Sequence, residues 1–364
     1  MISAIHPSET MSVAAAPYDE LASSKRARLL NELNELTHWH AEHCEPYRRI
    51  LSAAFAGQTL FRSIEELPAI PVRLFKTIDL VSVPPTEIVK TMHSSGTSSQ
   101  GHSKVFLDMS TAGAQTRALL SIMKSLLGSK RVPMVIVDNV NTINQREAFS
   151  ARAAAVRGFS QLGCDHLYLL NDAMEVNWDA LQDFTSRHKG ETLLVFGFTF
   201  IIWQYFYQES LKRGKLDLSD GILIHGGGWK KLTDQQVSNE EFKRCMRDQL
   251  GVRHVYNYYG LVEQTGSIFI ECAEGNLHAP AYADVLIRHP ETFRPLPFGA
   301  RGLLQLMSNI PRSYPGHVLL TEDLGLILGE DDCPCDRKGK YFMVEGRLPH
   351  AELRGCSDTY QERL

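Results

Sequence analysis

No run of apolar residues in this 364-residue chain is long enough to cross a bilayer. The longest, Leu193 to Trp203, covers 11 residues and is interrupted by Gly197 and Thr199. A spanning helix needs about 20, so no membrane span is expected. Cysteine is scarce. Seven residues are too few, and odd in number, for a disulfide scaffold, and they suit a cytoplasmic protein with reduced thiols. A charge excess of either sign is also missing. Lys and Arg total 38 against 42 for Asp and Glu, a net charge of −4, so nothing points to nucleic acid and no acidic tail solvates the chain. Residues 1–17 lack the charged and then apolar pattern of a secretory signal. There is no internal repeat and no low-complexity segment. What remains is ordinary: 43% hydrophobic and 22% charged residues, enough for a buried core and an enzyme.

Periodicity divides the chain. Leu21, Leu29, Leu30, Leu33 and Leu36 share one helical face, which predicts a helix over Tyr18 to Leu36. A second is expected over His38 to Ala56, ending at Gly57. Pro68, Pro71, Pro84 and Pro85 then hold the chain extended. The middle alternates short apolar strands with helices. Strands are expected at Val132 to Asp138, Leu167 to Leu170, Thr192 to Phe198, Gly221 to His225 and Val252 to Tyr258. Helices are expected at Asn144 to Leu162, Trp178 to His188, Trp203 to Lys212 and Asp234 to Leu250. Such alternation implies an α/β fold with a mostly parallel sheet covered on both faces. Beyond residue 270, Gly and Pro separate short apolar runs, which read as antiparallel strands of a small, barrel-like β lobe. The expected division is a helical region over 1–66, an α/β core over 67–270, a β-rich lobe over 271–345 and a hinge and tail over 346–364.

The segment Thr91 to Lys104, TMHSSGTSSQGHSK, combines glycines, hydroxyl side chains and a lysine. Glycine backbone N–H groups and hydroxyls suit a phosphate, and Lys104 adds charge. Three chemistries compete for it, beside a plain solvated loop. A P-loop would need Lys where His102 stands, with Asp138 near a magnesium ion. A hydrolase would use His225-Gly226-Gly227-Gly228 as oxyanion donors, but the chain contains no G-x-S-x-G elbow.

The third explains more residues. Ser94-Ser95-Gly96-Thr97-Ser98 with Lys104 resembles the phosphate loop of adenylate-forming enzymes. Gly226-Gly227-Gly228 resembles their glycine turn beside adenine. Asn257-Tyr258-Tyr259-Gly260-Leu261-Val262-Glu263 resembles N-x-Y-G-x-T-E, with Val262 in place of Thr. Thr321-Glu322-Asp323 resembles T-G-D, and Gly346-Arg347 the G-R at the interdomain hinge. The five matches run in order along the chain. Within this superfamily the chain is most similar to long-chain acyl-protein synthetases of the LuxE type, and more distantly to phenylacetate–CoA ligases. The segment Arg354-Gly355-Cys356-Ser357-Asp358-Thr359 is the closest local match to the former.

The resemblance implies a fold, a reaction and a site. The fold is the N-terminal domain of an adenylate-forming enzyme, layered α/β sheets plus a small β lobe, without the mobile C-terminal domain. The reaction is ATP-dependent activation of a carboxylic acid to an acyl-adenylate, then transfer to a protein thiol. Ser94 to Ser98, with Lys104, would face the phosphates, and Glu263 would hold Mg²⁺. Tyr259 and Gly260, beside Gly227 and Gly228, would flank the adenine. Asp323 would take the ribose hydroxyls, and Arg347 the ribose or phosphate. Cys356 would accept the acyl group as a thiolate, favoured by Arg354, and pass it to a partner such as a reductase. Two other outcomes stay open: a stand-alone enzyme that hands the acyl group to an amine, and an adenylate-binding protein without catalysis.

A second cluster stands apart. Cys272 and His278 form C-x₅-H, and Cys333 and Cys335 form C-x-C. Three thiols and an imidazole are a common ligand set for structural Zn²⁺. Similar residues occur in phenylacetate–CoA ligase-like proteins. The competing reading is four reduced residues on surface turns.

Overall fold

The computed structural model describes residues 16–94, 102–144 and 150–348. Helix α1 (Ala22–His43) is longer than its leucine pattern predicts, and α2 (Glu45–Ala54) starts later than expected. The break falls at Cys44 because Pro46 enters the first turn of α2, where its missing N–H costs no helical bond. Two residues of β1 (Ile70–Pro71) follow. Strands β2 (Lys90–His93) and β3 (Lys104–Leu107) form a separate antiparallel ribbon, from His93 opposite Lys104 to Lys90 opposite Leu107. Helix α3 (Met109–Leu127) begins at Asp108, whose carboxylate accepts from Thr111 N at 2.8 Å.

The alternating middle folds as the pattern implies. The strands β4 (Val132–Asn139), β5 (Gly163–Leu170), β6 (Leu193–Phe198), β7 (Gly221–Gly226) and β8 (His254–Tyr259) pair in parallel in the order β5-β4-β6-β7-β8. Between them run α4 (Asn141–Asn144), α5 (Ala151–Ser160), α6 (Trp178–Arg187), α7 (Thr199–Ile201), a π-helical stretch Ile202–Tyr207, α8 (Gln208–Ser210) and α9 (Asn239–Leu250). Helices α5 and α9 start later than their apolar periodicity suggests. Ser150 and Ser238 cap them, and each side chain accepts from the N–H three residues on.

Strands β9 (Phe269–Glu271), β10 (Leu277–His278), β11 (Ala283–Arg288), β12 (Gly302–Ser308), β13 (Val318–Glu330) and β14 (Lys340–Arg347) are antiparallel, as expected. They do not close into a barrel. They extend the same sheet, in the order β11-β12-β13-β14-β10-β9-β8. The sheet changes sense where Tyr258 and Tyr259 pair with Ile270 and Phe269. The short turn over Val262–Gln264 reverses the chain there, so β9 takes the free edge of β8 that would otherwise be exposed.

Helix α1 does more than cover one face. Trp39 Nε1 donates to Arg312 O at 3.1 Å, and the Arg312 guanidinium lies 4.5 Å over the Trp39 ring. Thr37 Oγ1 donates to Leu33 O, so His317 Nε2 must donate to Thr37, at 2.9 Å. His40 Nε2 donates to Pro311 O at 3.2 Å, and its Nδ1 accepts from Ser82 Oγ at 2.7 Å. The bonds make His40 neutral, burial keeps His317 neutral as well, and the helix grips the loop between β12 and β13.

Burial holds three imidazoles in the neutral form: His225 and His317 are pushed down to about 3, and His40 well below its usual range. The unfolded chain binds protons at all three below about pH 6.5, whereas in the folded chain His225 and His317 do not until about pH 3 and His40 only well below its usual range. Stability is therefore unaffected by them above pH 6.5 and falls as pH drops through that window. Urea titrations from pH 7.5 to 4 should show this loss. The change His317→Gln, which keeps a donor toward Thr37, should reduce the slope by about 1.4 kcal/mol per pH unit.

Candidate active site

In an open parallel sheet, ligands bind beyond the carboxyl ends of the strands. Here β7 ends at Gly226, followed by Gly227 at φ +84° and Gly228 at φ +68°. Two successive left-handed residues turn the backbone sharply, which side chains rarely allow. Gly226 is required for a different reason. A Cβ there would stand 2.7 Å from the ring and the carbonyl oxygen of Tyr258 on the neighbouring strand. His225 points away from this turn. Thr199 Oγ1 donates to Gly226 O at 3.1 Å and accepts from His225 Nδ1 at 2.9 Å, and the imidazole packs on Phe242 with centroids 4.3 Å apart. The His-Gly-Gly-Gly sequence thus makes a strand end and a turn, with its histidine in the core.

Strand β8 ends at Tyr259, and the parallel half meets the antiparallel half there. The Tyr259 hydroxyl donates to Asp323 Oδ2 at 2.6 Å, and Arg347 Nε donates to Asp323 Oδ1 at 3.1 Å. Asp323 and Arg347 are register partners across β13 and β14. Asp323 N donates to Thr321 Oγ1 at 3.1 Å, and Thr321 Oγ1 donates to Leu304 O at 2.8 Å. Glu322, where the motif has glycine, faces the other side of the strand and pairs with Arg73 at 2.9 Å. Each Asp323 oxygen carries one donor and keeps a lone pair. Burial and the Asp323 charge hold the Tyr259 hydroxyl well above its ordinary range, so it stays a donor. Its ring sits among Phe269 and Phe342.

Gly260 and Leu261 lead into the turn that carries Glu263, which is only 7% exposed. Burial raises the Glu263 carboxyl above its usual range, opposed by Ser103 and by the charges of Arg347 and Lys76. The 94–103 loop approaches through its neck. Ser94 N donates to Ser103 O at 3.0 Å, Ser103 N donates to Ser94 Oγ at 2.9 Å, and His102 Nδ1 donates to Ser94 O at 2.8 Å. Ser95, Gly96, Thr97 and Ser98 lie outside the described residues, as does Cys356. Alternation along β3 buries Ser103 and Val105 and turns Lys104 outward, where its ammonium pairs with Asp79 at 3.0 Å. The structure therefore gathers Tyr259, Asp323, Arg347 and Glu263, and sets Lys104 on the other face of its ribbon.

The same geometry removes the P-loop reading. The loop joins two antiparallel strands rather than a strand and a helix. Asp138 is fully buried and already bound by Arg152, with Nε at 2.8 Å, and by Thr142 Oγ1 at 2.8 Å.

Two hairpins bring the second cluster together. Cys272 and His278 flank the β9–β10 turn, and Cys333 and Cys335 sit in the loop between β13 and β14. Cys272 Sγ and Cys333 Sγ are 3.9 Å apart, Cys335 Sγ and His278 Nε2 3.4 Å, and all four ligand atoms lie within 4.8 Å of one another. Around tetrahedral zinc, bonds of about 2.3 Å to sulfur and about 2.0–2.1 Å to nitrogen separate neighbouring ligand atoms by about 3.5–3.8 Å. The pairs at 3.9 and 3.4 Å come close to that spacing, within a set whose separations stay inside 4.8 Å. Three of the four residues are buried, so the reading as surface residues does not fit.

Sequence motifs missed the surroundings of Glu263. Tyr314 in the β12–β13 loop interacts with it, Gln115 on α3 stands beside Tyr314, and neither carries a local signature.

Comparison with known proteins bears on the family and the fold. The family profile described as "Acyl-protein synthetase, LuxE" matches residues 7–364. A long-chain-fatty-acid–luciferin-component ligase of Vibrio harveyi is 24% identical over 340 residues, covering 88% of this chain and 83% of its own. The ligase of the same description from Aliivibrio fischeri is 23% identical over 346 residues, covering 89% and 85%. Among solved structures, an open conformation of 2-hydroxyisobutyryl-CoA ligase superposes with a TM-score of 0.71 at 16% identity, covering 93% of this chain and 80% of that one. That likeness establishes the adenylate-forming fold.

Proposed function

The chain belongs to the LuxE acyl-protein synthetase family, and from that premise we propose that it activates a carboxylic acid with ATP and passes the acyl group to a protein thiol. The carrying observation is the Tyr259–Asp323–Arg347 clamp, set at the seam of the sheet beside the glycine turn and Glu263. Its two open lone pairs suit the two hydroxyls of a ribose. The substrate carboxylate attacks the α-phosphorus, the bond to pyrophosphate breaks, and an acyl-adenylate forms. A thiolate then attacks the acyl carbon, and AMP leaves with the bonding electrons.

Glu263 and the Ser94 to Ser98 loop are the residues proposed to serve the phosphates. A buried carboxylate among polar groups fits a hard cation that prefers oxygen ligands. Bound Mg²⁺ supplies counter-charge to the departing pyrophosphate. Tyr259 serves best as a clamp on Asp323, since its hydroxyl is committed there. Lys104 would reach a phosphate only by leaving Asp79. Cys356 is the proposed acyl acceptor, with a reductase-like protein as the next carrier. The Cys272, His278, Cys333 and Cys335 cluster is proposed to hold structural Zn²⁺, joining the two hairpins of the antiparallel half.

Four outcomes are expected. ATP–pyrophosphate exchange should appear with one member of a panel of fatty and aromatic acids. Intact-mass spectrometry should then show one acyl group, absent in Cys356→Ser, which retains exchange. Exchange without any mass gain would favour an amine acceptor, and ATP binding without exchange a non-catalytic protein. Asp323→Ala, which removes a charged acceptor, should raise the KM for ATP by about 10- to 100-fold. Elemental analysis should find about one zinc per chain, lost in Cys333→Ser, with a lower melting temperature after chelation.

A further inference from the structure

Glu263 sits among polar groups that the fold buries and leaves unmatched. Ser103 Oγ, Gln115 Nε2, Gln264 Oε1 and the Tyr314 hydroxyl are all buried, and none completes a well-aligned hydrogen bond among the described residues. They arrive from four segments: the foot of β3, the middle of α3, the turn that carries Glu263, and the β12–β13 loop. Ser103 approaches the Glu263 carboxyl and the Gln115 side chain approaches the Tyr314 hydroxyl, each within reach of a hydrogen bond, and the Glu263 charge acts on Tyr314.

Two glycines make this convergence possible. A Cβ at Gly316 would stand 2.3 Å from the Tyr314 ring and 2.6 Å from the Glu263 carbonyl oxygen. Gly266, at φ +90°, lies so close to α3 that a Cβ would be 2.7 Å from the Gln115 Cα. Gln264 Nε2 donates to Gly316 O at 2.9 Å, which fixes the loop against the turn.

Buried polar atoms normally find partners, and several unmatched ones at a single place point to groups that close only in another state. The chemistry of each atom gives the order. An amide Nε2 only donates. The Tyr314 hydroxyl, kept neutral by burial, accepts one bond and donates another. The anion beside it is Glu263, with Arg347 and Lys76 as the cations that face the same carboxyl.

We propose that Gln115 and Tyr314 are positioning residues for Glu263. The Gln115 amide donates to the Tyr314 oxygen, and the Tyr314 hydroxyl donates to one Glu263 oxygen. The other Glu263 oxygen is thereby presented to the divalent cation of the nucleotide. Ser103 links the same carboxyl to the neck of the 94–103 loop. This inference rests on the proposed role of Glu263 toward Mg²⁺.

The test uses the full chain, with Mn²⁺·ATP as the probe and water-proton relaxation enhancement as the readout. Tyr314→Phe should weaken Mn²⁺·ATP binding by about 10- to 100-fold, the range for one bond to a charged group. Its urea midpoint should fall little, because the lost hydroxyl completes no well-aligned bond in the free protein. Gln115→Met should weaken binding less. The double variant should match Tyr314→Phe alone, since Gln115 acts through Tyr314. In exchange assays the KM for Mg²⁺ should rise, with kcat recovered at saturating Mg²⁺. Unchanged binding in Tyr314→Phe, or additive losses in the double variant, would overturn the relay. A wild-type chain that takes up no Mn²⁺·ATP would overturn both this inference and the role of Glu263. Binding without exchange for any acid would sink only the proposed reaction, and the variant ratios would still judge the relay.

Discussion

The hydrogen bond from Tyr259 to Asp323 joins the two halves of this molecule. Tyr259 closes the last parallel strand, and Asp323 lies 64 positions later on an antiparallel one. A carboxylate with so little exposure needs charged or strongly polar donors, and this one has two, a phenol and a guanidinium. Neither donor comes from the strand that carries the acid. The clamp therefore exists only when β8, β13 and β14 all stand in register. That dependence makes the binding site a property of the continuous sheet rather than of either half.

The rest of the architecture supports that seam. Helix α1 holds the β12–β13 loop through Trp39, His40 and Thr37, and that loop carries Tyr314 and Gly316 toward Glu263. The cysteine–histidine cluster sets the β9–β10 hairpin against the β13–β14 loop, close in sequence to strands that frame the clamp. Glu271, next to Cys272, accepts from Asn257 N at 2.6 Å and pairs with Lys243 at 2.9 Å, so α9 and the motif strand are pinned to the same edge. Site residues are thus held by bonds to elements that carry no motif.

Legibility varied with the physical origin of each feature. The parallel strands were readable because burial on both faces leaves continuous apolar runs. Helix ends were less so, since Pro46, Ser150 and Ser238 outweigh periodicity at their positions. Gly227 and Gly228 were readable because only glycine is at ease with consecutive positive φ angles. Asp323 and Arg347 were found through motifs, yet their direct contact was not, because it is set by strand register. Lys104 looked like a phosphate ligand by composition, but alternation along β3 turned it toward Asp79. Gln115 and Tyr314 gave no signal at all. Each is ordinary in its own segment, and only the fold sets Gln115 beside Tyr314 and Tyr314 within range of the Glu263 charge.

The sequence by itself determined the α/β class, the family resemblance and the identities of the groups that can bind anions, sugars or metals. Those follow from side-chain chemistry and local backbone preference, both written residue by residue. Tertiary structure alone decided which of those groups meet. Sequence spacing carries no distance: Cys272 and Cys333 are 61 positions apart and 3.9 Å apart in space. Only the sheet order and its change of sense at β8 and β9 convert those separations into a site, because backbone hydrogen bonding between strands fixes register over the whole sheet at once.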